Sequence, residues 1–375
     1  PNDFAALKAL VHEQQINLVI CGPEEPLVRG VQDFFAQDAA LQHVHFVGPS
    51  QAGAQLEGSK AFAKAFMDEF GIPTAAYREF TADTLAKGVA YLATIPTPIV
   101  LKADGLAAGK GVLILDHVAE AQAELRAMLG GKFGDASSRV VVEAFLDGME
   151  FSVFAFTDGE DYVLLPVAKD YKRIGEGDTG LNTGGMGSVS HPPFVDDDLM
   201  AKVEERIVRP TVRGIKARGL HYQGVVFFGL IKVGDDPYVI EYNCRMGDPE
   251  TQSVFARLDS DLVELCLATT TGQLANYEVQ VSAQATASVI LVSGGYPGSY
   301  EKGKVITGLE QVEGSLVFHA GTKQVGDKIV TNGGRVLAIT SYGDSFREAV
   351  DKSLANAAKV HFEGVTYRRD IGFDL

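Results

Sequence analysis

Cysteine is scarce in this chain: Cys21, Cys244 and Cys266 stand far apart among 375 residues, with no CxxC pair. That spacing excludes a disulfide framework and a thiolate zinc site, and it fits a reducing compartment, the cytoplasm. Long hydrophobic runs are missing as well. No stretch approaches the roughly 20 consecutive apolar residues that a membrane helix needs, and no cleavable signal is expected. Basic residues are in deficit, 33 against 49 acidic ones, for a net charge of −16. Such a chain repels nucleic acid and anionic membranes, so neither is expected as a partner. Any anionic small substrate has to be met by Lys and Arg gathered locally against that overall field. What remains is an ordinary globular composition, 46% hydrophobic, in a chain long enough for two or three domains.

Residues 4–15 read as an amphipathic helix feeding a buried strand at 16–21. A sheet is rarely begun with a helix, so this is expected to be the back half of an open α/β domain. A helix at 27–37 and a strand at 45–47 continue the alternation and predict a parallel sheet. Helical spacing over 60–70 stops at Gly71-Ile72-Pro73, and strands at 98–102 and 111–115 flank a Gly-rich segment, followed by a helix at 119–129. Strands are predicted at 139–143, 149–157 and 162–168; residues 169–190 show no periodicity and read as a long functional loop. A helix at 196–218, strands at 224–233 and 238–243 and a helix at 261–271 follow. Beyond Gly272, short strands at 287–292, 316–320, 328–331 and 335–340 and a helix at 346–359 suggest a small α+β domain. The expected boundaries are 1–59, 60–271 and 272–375.

Three segments carry chemistry. The run from Lys102 through Gly105, Gly109 and Lys110 to Gly111 is a Gly-rich turn between strands. Glycines let the backbone approach phosphate, and Lys supplies charge to the β and γ oxygens. It is not a Walker A loop: three residues rather than four separate Gly105 from Gly109, and Gly111 rather than Ser or Thr follows Lys110. Alone, it reads equally well as a hairpin with a flexible tip.

In Val239-Ile240-Glu241-Tyr242-Asn243-Cys244-Arg245, a period of two places Glu241 and Asn243 on one face, with Arg245 beyond them if the strand persists. A carboxylate and an amide oxygen are hard ligands of the kind Mg²⁺ takes when it also holds nucleotide phosphates. Arg245 would neutralise a transferring phosphoryl group. A solvated strand face with an incidental Glu–Arg pair is the alternative. In the third segment Lys169, Lys172 and Arg173 precede a Gly-rich run, Asp178 to Ser188, whose N–H groups can form an anion-binding nest. A fourth, Glu143-Ala144-Phe145-Leu146 followed by Glu150, offers backbone groups and an apolar edge to a flat base, or is simply core strand.

In this order the segments resemble the ATP-grasp superfamily, in which ATP lies between two α+β lobes and a carboxylate is activated as an acyl phosphate. Within it the chain is similar to the phosphoribosylamine–glycine ligase family. The likeness rests on Gly22-Pro23-Glu24-Glu25-Pro26, Gly58-Ser59-Lys60, Lys102 to Gly111, Asn182 to Gly187, Glu241 to Gln252, His319-Ala320-Gly321-Thr322 and Thr331 to Val336, and it spans the whole chain. It implies a multidomain α/β and α+β protein: an ATP-grasp fold with a partial N-terminal parallel α/β domain and a small C-terminal α+β domain. The activity implied is ATP-dependent ligation of glycine to 5-phosphoribosylamine through glycyl phosphate, giving glycinamide ribonucleotide, ADP and phosphate in purine biosynthesis. The ligands implied are ATP with Mg²⁺ or Mn²⁺, and the state is a monomer or weak homodimer. The alternatives are an ATP-grasp ligase for another acid and amine, or a nucleotide-binding fragment without ligase activity.

The resemblance also assigns residues. Lys60 and Lys102 would contact the ATP phosphates beneath a loop with Gly109, Lys110 and Gly111, and Lys172 would face the same nucleotide. Glu143, Phe145 and Leu146 would form the adenine hinge, Glu150 would hold the ribose, and Glu241 and Asn243 would ligate the metal. Asp178, Asn182, Thr183, Gly184, Gly185 and Arg245 would surround glycine and its acyl phosphate, with Arg245, Lys110 and Asp178 as the catalytic set. Glu24 and Arg335 would contact phosphoribosylamine, and a lid at about 77–139 would close over ATP. Two departures stand out. Leu181 occupies a position where the family usually has Pro, which the neighbouring glycines are expected to tolerate. The family's opening strand and Gly-rich turn, which help to hold the substrate's 5-phosphate, are not in the chain; two βα units of about 30 residues each would account for them.

Overall fold

The computed structural model describes residues 1–107 and 111–375, so Gly109 and Lys110 of the expected phosphate loop lie outside the described residues. The centre of the molecule is the antiparallel pair Met149–Thr157 and Tyr222–Val233, in register from Gly224 opposite Thr157 to Lys232 opposite Met149. Both strands are nearly continuous apolar runs because both their faces are covered. Phe151, Val153, Val226, Phe228 and Leu230 point into one core with Leu199, Val203, Ile207 and Ile215 of the helical run after Asp196. The alternate residues Phe154, Phe156, Val225 and Phe227 point into a second core with Val254 and Leu265. Each fully buried phenylalanine contributes roughly 1.5–3 kcal/mol of transfer free energy.

From this pair the sheet extends both ways. On one side Tyr222 and Gln223 meet Pro49 and Gly48, joining the parallel pair His45–Pro49 and Leu18–Ile20. On the other it runs through Ala168–Gly175, Thr179–Ser190, Ala285–Val292, Arg335–Gly343 and Ser315–His319. Parallel pairing, expected of the N-terminal part, holds for the first two strands only; the other ladders of this sheet are antiparallel. Strand Asp236–Asn243 pairs with Tyr222–Val233, with a register shift after Gly229.

Residues 77–144 form a separate lobe. Its four strands, in the order Tyr77–Thr81, Arg139–Ala144, Ile99–Ala103 and Val112–Leu115, are antiparallel throughout. Helices Leu85–Leu92 and Val118–Leu129 cover one face, burying Phe80, Leu92, Leu101, Leu125, Met128 and Val142 in a core of their own.

Several sequence expectations change. Residues 169–190 are not a loop but most of a hairpin, Ala168–Gly175 with Thr179–Ser190. Its periodicity is hidden by glycines and by register shifts between Thr179, Asn182 and Gly187. The helix expected over 27–37 breaks into Glu24–Val28 and Val31–Gln37 at Gly30, whose φ of +87° ends the first turn. The helix over 196–218 is continuous but contains a π turn at Glu204–Val208. Strand Tyr77–Thr81 and helices Leu85–Leu92 and Glu250–Ala256 had no clear sequence signal.

Candidate functional site

Glu241 is the centre of the charged cluster. Beside it in the ladder, Gly229 leaves room: a Cβ there would lie 3.2 Å from the Glu241 Cγ. Lys60 Nζ lies 3.7 Å from the Glu241 carboxylate. Burial pushes the Glu241 carboxyl up, but Lys60, Lys172, Lys102 and Arg245 together outweigh it and hold the group below the usual carboxylate range. Asn243 is buried two positions on along the same strand. Two hard oxygen donors, one of them firmly ionised, fit a Mg²⁺-type ion whose remaining ligands come from phosphate oxygens.

The lysines are placed by local structure. Ser59 caps helix Lys60–Glu69, and the Asp104 carboxylate accepts from Ser59 Oγ at 2.9 Å and from the Ala61 N–H at 2.8 Å. Asp104 follows the strand that carries Lys102, so a residue of the Gly-rich segment fixes the start of the helix that presents Lys60. Lys102 donates to the Ile240 carbonyl at 3.0 Å, beside Glu241. Gly111 packs against Ala103 and Ala107, where a Cβ would come within 2.8 Å of the Ala107 side chain.

The hairpin corrects one expectation. Lys169, Lys172 and Arg173 were expected to share an anion, but alternation along the strand sends Lys172 to the face opposite Lys169 and Arg173, and each cation has its own partner. Lys172 pairs with Glu150 at 2.9 Å and stands 3.7 Å from Asp170, and its ammonium is held well above the usual range by these acids and Glu241. Lys169 is buried on the opposite face against Asp374 at 3.1 Å, and Arg173 donates to the Gly180 carbonyl. Glu150, expected at the ribose, is half exposed with its carboxyl lowered by Lys172.

Asp178, expected around glycine, lies between the two strands of the hairpin. It sits at the hairpin tip with a φ of +53°, and its carboxylate meets the buried guanidinium of Arg368. Asn182 lies opposite Arg173 in the ladder, while Thr183 donates to the Lys172 carbonyl at 2.8 Å and accepts from the Gly185 N–H. The Gly184 N–H donates to the Tyr296 hydroxyl at 2.9 Å and its carbonyl accepts from Arg335 at 2.7 Å. Arg335 also binds the Asp248 carboxylate at 2.6 Å. Gly185 has a φ of +116°, and a Cβ there would stand 2.3 Å from Pro249 Cδ, so no other residue fits without a shift.

Arg245 and Glu24, both expected at the substrate, do meet: Arg245 Nε lies 3.5 Å from the Glu24 carboxylate, and Glu57 holds the other end of the guanidinium. Arg245 also lines a cavity of about 330 Å³, together with Cys21, Gly22, Gly48, Asp248 and Thr251, among others. Burial pushes the Cys21 thiol up to about 11 and the Cys244 thiol well up, so neither is poised as a nucleophile. Glu143, expected at the adenine hinge, turns its side chain inward onto Lys64 and Lys102, while Phe145 is exposed and Leu146 half-buried. Glu57, Lys64 and Tyr296 carry no signal in the sequence, because their partners Arg245, Glu143 and Gly184 lie far away in the chain.

Comparison with known proteins bears on these residues together. Three profiles match in succession: the phosphoribosylglycinamide synthetase N domain over residues 1–57, its ATP-grasp (A) domain over 58–251 and its C domain over 286–374. The chain is 48% identical over 375 residues to the phosphoribosylamine–glycine ligase of Vibrio vulnificus, covering 99% of this chain and 86% of that protein. It also resembles the crystal structure of the phosphoribosylamine–glycine ligase of Thermotoga maritima, with a TM-score of 0.79 and 41% identity over 87% of this chain and 81% of that one. The biotin carboxylase domain of Hydrogenobacter thermophilus 2-oxoglutarate carboxylase, solved with MgADP, shares the fold at 17% identity: the TM-score is 0.73 over 100% of this chain and 80% of that one.

Proposed function

Since this chain belongs to the phosphoribosylglycinamide synthetase family and is an ATP-grasp ligase of purine biosynthesis, we propose that it joins glycine to 5-phosphoribosylamine by way of glycyl phosphate. The observation that carries the site reading is the convergence of Lys60, Lys102, Lys172 and Arg245 on the carboxylate of Glu241 in a chain of net charge −16. Cations gathered against such a field serve a polyanion, and the nucleotide phosphates are that polyanion.

In this reading the glycine carboxylate attacks the γ-phosphorus, the bond to the β–γ bridging oxygen breaks, and ADP and glycyl phosphate result. Lys60, Lys102 and Arg245 stabilise the charge that spreads over the γ-phosphoryl oxygens. Glu241 and Asn243 would hold Mg²⁺ or Mn²⁺, which supplies further neutralisation of phosphate charge. The amine of phosphoribosylamine then attacks the glycyl carbonyl, loses a proton and expels phosphate, giving glycinamide ribonucleotide. Glu24 and the cavity beside Arg245 would receive phosphoribosylamine, and the Thr183–Gly185 turn would receive glycine. The 77–144 lobe would act as a lid that keeps water from the labile acyl phosphate. The ligase works on these small molecules as a monomer or weak homodimer in the cytoplasm. Among the described residues no helix is long and apolar enough to cross a membrane.

The test is ADP formation with MgATP, glycine and freshly generated phosphoribosylamine, each omitted in turn. ADP that requires all three supports the proposal. ADP driven by another acid would replace the substrates, and MgATP binding with no ADP under any combination would leave a nucleotide-binding protein.

A further inference from the structure

Lys64 is one of the most deeply buried charges in the molecule, its side chain only 2% exposed, yet no step above uses it. Its Nζ donates to Thr74 Oγ1 at 2.7 Å and to the Ala75 carbonyl at 3.3 Å, and it lies 3.2 Å from one carboxylate oxygen of Glu143. The other oxygen of Glu143 lies 3.0 Å from Lys102 Nζ. Thr74 and Ala75 precede the first strand of the lid, and Glu143 is in its last strand. Thr74 Oγ1 in turn donates to the Val239 carbonyl at 2.7 Å, on the strand of Glu241. One ammonium therefore touches the chain where it passes into the lid and where it comes out.

The charge count makes this more than a brace. One buried carboxylate serves two buried lysines, and one of them is the proposed phosphate ligand. We propose that Lys64 is a positioning residue for ATP: it holds the Glu143 carboxylate so that Lys102 is free to turn its charge to the nucleotide phosphates. With Lys64 neutral, Glu143 has Lys102 as its sole cationic partner among the described residues, and that pair competes with ATP. Burial depresses the Lys64 ammonium to about 8, as expected of a cation kept charged mainly by this one acid. The inference rests on the assignment of Lys102 to the phosphates.

The experiment measures binding of a non-hydrolysable ATP analogue with Mg²⁺ by calorimetry, together with the KM for ATP and for glycine, in the full chain. Lys64→Met should weaken the analogue at least about tenfold and raise the ATP KM in parallel while leaving the glycine KM unchanged. Adding Glu143→Gln to it should restore most of the affinity, because the competing charge is then gone. Lys64→Gln, which keeps a donor for Thr74 without the charge, should behave like Lys64→Met and covers the case in which Met fails to fold. Unchanged analogue binding in these variants, or a double variant no better than the single one, overturns the proposal. Lys102→Met separates the two readings: if it binds the analogue as tightly as the parent, the phosphate assignment itself fails.

Discussion

The guanidinium of Arg245 lies 2.8 Å from the carboxylate of Glu57, a residue 188 positions earlier that is buried to within 4% and also accepts the Cys244 N–H at 2.8 Å. Burial raises the Glu57 carboxyl and Arg245 opposes that rise, so the pair is mutually dependent. Glu57→Gln keeps the shape and removes the charge that aims Arg245. The expected result is a stability loss of about 3 kcal/mol in urea titration and a fall in kcat of roughly 10²-fold, with little change in the ATP KM. A variant with parental kcat would show that Arg245 needs no such aim.

Glu241→Ala removes the carboxylate that Lys60, Lys172, Lys102 and Arg245 together hold ionised. Glycine-dependent ADP formation should drop by at least about 10²-fold, while the melting temperature stays within a few degrees of the parent, since Glu241 is partly exposed. Turnover near the parental rate would remove Glu241 from the metal site.

Glu250 predicts a pH effect. Desolvation, reinforced by Asp170, pushes its carboxyl from 4.5 up to about 8. The unfolded chain releases this proton near the lower value and the folded chain keeps it to the higher one. Between the two, the folded state binds more protons, so this group's contribution to stability falls as pH rises from about 4.5 to about 8 and then levels off. Glu250→Gln should flatten that part of the curve, as measured by urea midpoints at pH 5, 6, 7 and 8. Parallel curves for the two proteins would mean that Glu250 titrates normally.

Arg368 is buried against Asp178 and Asp370 and stacks on Tyr171 and Phe373, joining the C-terminal segment to the tip of the 168–190 hairpin. Arg368→Leu should cost about 3 kcal/mol and raise the glycine KM, because the same hairpin carries Thr183 to Gly185. Limited proteolysis should then cut near Gly177. An intact hairpin with unchanged kinetics would reduce Arg368 to a surface tie.

What the sequence revealed follows from how local each signal is. Glu241 and Asn243 were legible because a strand repeats every two residues, and the helix that begins at Lys60 because of its helical spacing. The 168–190 hairpin was not, because glycines that allow φ of +79° at Gly180 and +116° at Gly185 also erase alternation. Asp178 enters the catalytic set through the family resemblance alone, and its partner here, Arg368, lies 190 positions on. Glu143 enters as a hinge residue through the same resemblance, and the two lysines that turn it inward come from a preceding helix and an adjacent strand. Charge pairing over such separations leaves no periodic trace.

The two ends of the 77–144 lobe leave the body side by side: the Ala144 N–H donates to the Ala76 carbonyl at 2.9 Å. Topologically the lobe is therefore an insertion, a closed excursion from a chain whose path across the body would be unbroken without it. A short turn bridging residues 76 and 144 would leave the body's strand order intact, and lobes of other sizes could be grafted at the same seam. The body thus carries the lobe as a single cassette, whose four strands share no ladder with the sheet that holds Glu241.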